Sequence, residues 1–391
     1  MDLEKEGSWS ISFAGSGFLG LYHVGVTHCL QEHAPSLLQG AHRFYGSSSG
    51  ALYATCFVCG MSVDYCCSNL LGMIKVIKRL SLGIFHPAFA PIDHIKSVLQ
   101  KTLPNNAHIL ASKRLGISLT HWPDGKNVIV TNFATRDELI QAMVCTLYFP
   151  VYCGVIPPEF RGERYFDGAL SNNVPFKNNG STITVSPYHG TLDICPQENI
   201  VKSSLPFYNR KFLMGYLALF PPSPEVVADI CRQGYLDALR FLEMRGLTKE
   251  PILWSLASKA PPCPAEGTQN SGCNQEGKAG LTLNWAVPNV LVKDVPNFEQ
   301  LLPELEAALR KACMRKPGLW ARFWWSGSGQ VLTYLLLPCT LPVEYVYFRS
   351  KRVMVWLPDA PADLRWMLGQ LWSLVHELYS WTKTQLLWAV R

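Results

Sequence analysis

The chain has 391 residues, enough for two or three domains with a sizeable buried core. Hydrophobic residues make up 48% and charged residues 16% of it, and a net charge of +6 is too thinly spread to argue for nucleic acid; 12 Trp in a mildly basic chain suit an anionic lipid surface better. The opening Met1-Asp2-Leu3-Glu4-Lys5-Glu6 lacks the apolar core of a secretory signal, so the 13 Cys read as reduced thiols of a cytoplasmic, non-secreted protein.

Trp9 to Ala14 predicts a short buried strand running into Gly15-Ser16-Gly17-Phe18-Leu19-Gly20. A helix follows to His33, carried by Phe18, Leu21, Tyr22, Gly25 and Cys29 at helical spacing, and Pro35 bars continuation past Ala34. Strand, G-x-G-x-x-G and helix is also a dinucleotide fingerprint, but that reading needs an acidic residue at the end of the second strand. Here the second strand, near Arg43 to Tyr45, ends instead in Gly46-Ser47-Ser48-Ser49-Gly50. This G-x-S-x-G signature places Ser48 on a tight strand-to-helix turn, where Gly46 and Gly50 remove Cβ atoms that would collide. The following helix would point its free N–H groups at charge developing near Ser48. Read alone, the stretch is equally a Ser/Gly-rich loop. The glycine loop is read as a source of backbone amides close to Ser48.

Ala51 to Cys59 is the helix leaving this turn, and Gly60 ends it. Cys56 and Cys59 form a C-x-x-C, with Cys66 and Cys67 nearby, but in an apolar helical run they read as buried thiols rather than zinc ligands. Helices are predicted over Val63 to Arg79 and Ile92 to Leu103, with a loop of aromatics and prolines at His86 to Pro91 between them. Leu115 to His121 and Asn127 to Asn132 flank Trp122-Pro123-Asp124-Gly125 as a hairpin. Thr135-Arg136-Asp137-Glu138 has the capping-box pattern and opens a helix through Thr146. The strand Arg164 to Phe166 delivers Asp167-Gly168-Ala169, which alone reads as a plain turn, and Thr182 to Ser186 is the next strand. Val226 to Arg245 is helical, and 260–280 is a Pro/Gly-rich linker. Val331 to Phe348 is apolar but interrupted by Pro338, Pro342 and Glu344, which suits an interfacial or hairpin element better than a membrane span. Arg349, Lys351 and Arg352 follow. From Asp363 a leucine stripe with Trp366, Trp372, Trp381 and Trp388 is either core or a membrane anchor.

Together and in this order, Gly15-x-Gly17-x-x-Gly20, Gly46-x-Ser48-x-Gly50 and Asp167-Gly168-Ala169 resemble the patatin-like phospholipase family. Flanking text such as Asp137-Glu138-Leu139-Ile140-Gln141-Ala142 is similar to the branch holding adipose triglyceride lipase and adiponutrin. The resemblance implies a three-layer α/β/α domain with a mostly parallel sheet, followed by a helical, hydrophobic C-terminal region. It implies Ser48 as nucleophile and Asp167 as general base, without a catalytic histidine, metal or other cofactor. Gly15, Gly17, Phe18 and Gly20 would form the oxyanion loop; Leu19 departs from the Arg or Lys of many bacterial and plant relatives, so any help must come from amides near Gly17 and Phe18. The order Ser, Asp, His also leaves a triad through His189 open. The resemblance further implies a triacylglycerol substrate, a lipid-droplet or membrane surface, and an α/β-hydrolase-type coactivator protein. Acyl transfer and a weakly active droplet scaffold are the rival readings. Residues 1–10 are then an N-terminal segment, 11–180 the catalytic domain, 181–259 a mainly helical extension, and 281–391 a lipid-associating region. The segment between Pro196 and Pro221 is shorter than that of similar proteins, which bears on how the catalytic domain packs.

Overall fold

The computed structural model describes residues 9–177, 180–197, 218–248, 252–257, 287–314 and 327–389. The 260–280 linker, the first eight residues, and 198–217 of the segment between Pro196 and Pro221 lie outside the described residues. Strands β1 (Ser10–Phe13), β2 (Phe44–Gly46), β3 (Leu115–His121), β4 (Asn127–Val130), β5 (Glu159–Phe160), β6 (Glu163–Asp167) and β7 (Thr182–Val185) form the sheet. Between and after them come α1 (Leu21–His33), α2 (Pro35–Gln39), α3 (Ser48–Val58), α4 (Val63–Arg79), α5 (Pro91–Thr102), α6 (Ala107–Arg114), α7 (Arg136–Thr146) and α8 (Ala169–Asn172). Later in the chain lie α9 (Pro224–Met244), α10 (Ile252–Ala257), α11 (Phe298–Leu301), α12 (Pro303–Met314), α13 (Gly327–Trp356) and α14 (Ala360–Ala389).

β7, β1, β2 and β3 run parallel, while β4 and β6 join β3 antiparallel. β1, β3 and β7 are buried at successive residues, as in a sheet covered by helices on both faces. This is the expected α/β/α arrangement with a mostly parallel sheet. One register detail positions the site. β2 pairs with the start of β3, Gly46 opposite Ile117, and β6 pairs with its end, Asp167 opposite Leu119. β4 occupies the other flank of the same stretch, so β2 and β6 share one flank. Being of opposite direction, they run toward each other and bring their carboxyl ends together.

The sheet does not end at Gly180. Ile183 of β7 pairs with Ile11 of β1, and α9 lies directly on α1. A Cβ on Gly25 would fall 1.9 Å from the Cys231 carbonyl oxygen, and one on Gly234 2.2 Å from that of Tyr22, so the two helix backbones touch. Beside this crossing Tyr22 Oη donates to Asp237 Oδ2 at 2.6 Å. We expect Gly234→Ala to destabilise the protein by about 3 kcal/mol, read as a lower thermal midpoint; an unshifted midpoint would mean the helices separate at no cost. Residues 287–314 also belong to this unit rather than to the C-terminal region in which the sequence reading placed them. Arg232 of α9 grips Glu306 of α12 with Nε at 3.1 Å and Nη2 at 2.8 Å, and Lys75 of α4 donates to the Cys313 carbonyl at 2.6 Å. The linker is a break in composition, and packing carries on beyond it.

The second unit comprises Leu80–Phe89 and Pro317–Arg391. α13 passes through Pro338 and Pro342 without the expected interruption. Spaced four apart, the prolines take their missing N–H groups from one face, and the ladder on the others carries the helix through. Trp356 Nε1 donates to Asp363 Oδ2 at 2.6 Å across the turn into α14. Arg352 Nη2 donates to the carbonyls of Pro87 and Phe89 at 2.7 and 2.6 Å, which fastens the 80–89 loop to α13. Leu364, Leu368, Leu371, Trp372, Leu374, Val375 and Leu378 are exposed, Trp372 at 75%, so the terminal stripe is not core. No described helix is long and apolar enough to cross a membrane.

Candidate active site

Ser48 opens α3 directly after β2, with φ of +50°. A non-glycine residue there costs about 1–2 kcal/mol, and its neighbours keep it in place. A Cβ on Gly46 would meet Ala51 N at 2.5 Å, and one on Gly50 would meet the Phe13 carbonyl oxygen at 2.5 Å, so only glycines allow this bend. The Ser48 amide is held by Thr146 Oγ1 at 2.9 Å, and that hydroxyl donates to the Ser118 carbonyl at 2.8 Å. The meeting of β2 and β6 then lets Ser48 Oγ donate to Asp167 Oδ2 at 2.6 Å.

Asp167 is 3% exposed. Burial pushes its pKa up to about 6, against the opposing pull of hydrogen bonds from Ser48 and the Ala169 amide. The Ala169 amide donates to Oδ1 at 2.8 Å, leaving Oδ2 for the serine. Gly168 is required where the chain presses on β3, since a Cβ would lie 2.0 Å from the Ser118 carbonyl oxygen.

The glycine loop divides by what its amides already do. Gly15 N donates to Ser47 Oγ and Asn173 Oδ1, Ser16 N to Ser49 Oγ, and Gly20 N to the Gly17 carbonyl. Gly15 and Gly20 of the expected oxyanion loop therefore shape it and have no free amide to offer. The amides of Gly17, Phe18 and Ser49 make no hydrogen bond among those of the described residues. His189 Nδ1 donates to the Pro196 carbonyl at 3.1 Å, and no described hydrogen bond joins it to Ser48 or Asp167, so the triad does not assemble. Among the described residues no group of three or more His, Cys, Asp or Glu is placed to hold a metal ion.

Residues 11–178 match the family model described as patatin-like phospholipase. The chain is 66% identical to patatin-like phospholipase domain-containing protein 5 of Homo sapiens, over 98% of this chain and 92% of that protein. The chain belongs to the patatin-like phospholipase family. It is 40% identical to patatin-like phospholipase domain-containing protein 2 of Bos taurus, over 98% of this chain and 80% of that one. It is 39% identical to a 1-acylglycerol-3-phosphate O-acyltransferase of Mus musculus, over 93% and 88%.

In this patatin-like chain, three residues at the site escaped the sequence reading as parts of it. Asn173 Oδ1 accepts from Gly15 N at 2.8 Å and from Ser47 Oγ at 2.9 Å, so one amide side chain ties the glycine loop and the elbow to the segment after Asp167. Thr146 is legible from sequence only as a helix end. His23 Nε2 donates to the Ala14 carbonyl at 2.9 Å, and burial lowers its pKa to about 4, which makes it a neutral prop beneath the loop. Asn173→Ala should lower kcat by about 10²-fold with KM little changed, whereas Asn173→Asp, which keeps the acceptor oxygen, should retain more of it. Equal losses in the two variants would show that the acceptor is not what matters.

Proposed function

We propose that the protein is a serine lipase acting on long-chain acyl esters, with triacylglycerol as the first substrate, at the surface of lipid droplets. Asp167 takes the Ser48 proton as Ser48 Oγ attacks the acyl carbonyl, and the Gly17, Phe18 and Ser49 amides receive the oxyanion. The proton passes to the departing glyceride alcohol, and a water activated by Asp167 then cleaves the acyl-enzyme. A carboxylate is a weak base toward an alcohol, and burial helps by raising its affinity for the proton. The observation carrying this reading is the 2.6 Å contact between a strained serine and a buried carboxylate. The exposed apolar helices α13 and α14 support a monolayer location, because an in-plane helical hairpin can enter a lipid monolayer without crossing it. A second reading is acyl transfer to a glyceride or lysophosphatidate acceptor, favoured by the acyltransferase relative.

Product analysis separates these readings. Purified protein is incubated with emulsions of triacylglycerol, phospholipid and retinyl ester, and with lysophosphatidate plus an acyl donor, each with Ser48→Ala as blank. Fatty acid release from triacylglycerol that vanishes in the blank is the expected result. Phosphatidate formation without hydrolysis would favour transfer, and no turnover of any ester by the folded protein would remove the enzyme reading.

A further inference from the structure

We infer that the acyl chain of the ester bound at Ser48 lies in an apolar cavity between α1, α3, α4 and α5, and that this cavity sets acyl-chain preference; the inference rests on the proposed role of Ser48. The cavity has a volume of about 110 Å³. Its end nearest the elbow is lined by Gly17, Gly20 and Ser49, the residue following the nucleophile and the loop with unengaged amides. From there it follows one face of α3 through Leu52 to Cys56, about 10 Å of helix measured from Ser49. Leu70 and Met73 of α4 and Val98 of α5 form the facing wall. Ser48 itself is not among the lining residues, so an acyl chain on Ser48, with its carbonyl oxygen at the Gly17 and Phe18 amides, would enter the cavity past its neighbour Ser49.

The chemistry of the lining selects the occupant. None of the lining residues is Asp, Glu, Lys or Arg, so a phosphate headgroup would find no counter-charge, and an apolar cavity favours hydrocarbon over water. Leu52, Leu70, Met73 and Val98 are only half-buried, which leaves their surface to be covered by a ligand. Exposed His94 is part of the lining, so the cavity opens to solvent and a longer chain can run out of it. At about 30 Å³ per water-sized group, the enclosed part holds about four methylenes. Each methylene removed from water raises kcat/KM by about fourfold, and the gain stops when the cavity is full.

The full-length protein is assayed with p-nitrophenyl esters from acetate to dodecanoate, alongside an ethyl fluorophosphonate probe for Ser48. Wild type should gain with chain length up to about hexanoate and then level off. Leu70→Trp should lower the hexanoate-to-acetate ratio by at least about tenfold, with probe labelling of Ser48 showing that the variant is folded. Should Leu70→Trp fail to fold, Val98→Ala enlarges the cavity and should move the plateau toward longer chains. No chain-length gain in wild type, or an unchanged profile in a folded variant, overturns the inference. If the ethyl probe does not label Ser48 at all, the hydrolase reading falls and takes the acyl site with it.

Discussion

Ser48→Ala and Asp167→Asn each lower ester hydrolysis by roughly 10⁴-fold, and the double variant is no worse than either alone. The two side chains share one proton across a 2.6 Å contact, so removing either disables the same step, and their losses do not add. Asp167→Asn is the sharper test, since it keeps the shape of the side chain and removes only the capacity to take a proton. Near-normal turnover in a folded variant of either kind would end the dyad assignment. His189→Ala, by contrast, should cost little, because its ring bonds to the Pro196 carbonyl and to neither member of the dyad in any described hydrogen bond.

Asp167→Asn has an opposite effect on stability. The folded pKa of Asp167, about 6, lies above the ordinary carboxylate value of 3.8, so the folded state holds this proton more tightly than the unfolded chain. Its contribution to stability is therefore present at low pH and is lost as pH rises from about 4 to about 6, a difference of about 3 kcal/mol above that window. Asp167→Asn should raise the thermal midpoint at pH 7 and bring no such gain at pH 3. Activity runs the other way: the base must be ionised, so kcat/KM should climb through about pH 6 and level off above it. A pH profile flat from 4 to 8 would count against Asp167 as the base.

The sequence made Ser48 and Asp167 visible because both sit at strand ends with glycine beside them, a local signature. Their meeting is not local. It depends on β2 and β6 ending on one flank of β3, a register concealed by a sequence separation of 119 between the two residues. Asn173 and Thr146 are hidden for the same reason, since each acts through a hydrogen bond to a residue far off in sequence; His23 bonds only nine residues back, to the Ala14 carbonyl, but neither periodicity nor spacing marks that contact. β7 read correctly as a strand, yet its place beside β1 moved the end of the sheet past Gly180. At Pro338 and Pro342 local propensity misled, because two prolines on one face leave most of a long helix's hydrogen bonds in place.

Ending the chain at Lys316 should release the protein from lipid droplets into the soluble fraction while Ser48 stays reactive toward a short-chain ester. The position of the cut matters. A cut at 281 would strip α11 and α12, uncover the core where Leu305 and Leu309 are each 1% exposed, and leave Arg232 without Glu306. A cut after Lys316 keeps the whole of the first compact unit and, of the second, only Leu80–Phe89. It removes α13 and α14 with their exposed Leu335, Val343, Leu368, Leu371 and Trp372, far more apolar surface than scattered single residues present. Of the basic residues after the apolar run, Arg352 is spent on the carbonyls of Pro87 and Phe89 and Arg349 lies 5.2 Å from the Tyr345 ring centroid, so apolar burial rather than charge should dominate attachment. Attachment should accordingly resist added salt. Full-length protein carrying Leu368→Gln, Leu371→Gln and Trp372→Gln supplies the test without truncation, and should also leave the droplets. Imaging both variants in oleate-fed cells, with fluorophosphonate labelling of Ser48 as the check on folding, decides the matter: a labelled variant that remains on droplets places the anchor elsewhere in the chain.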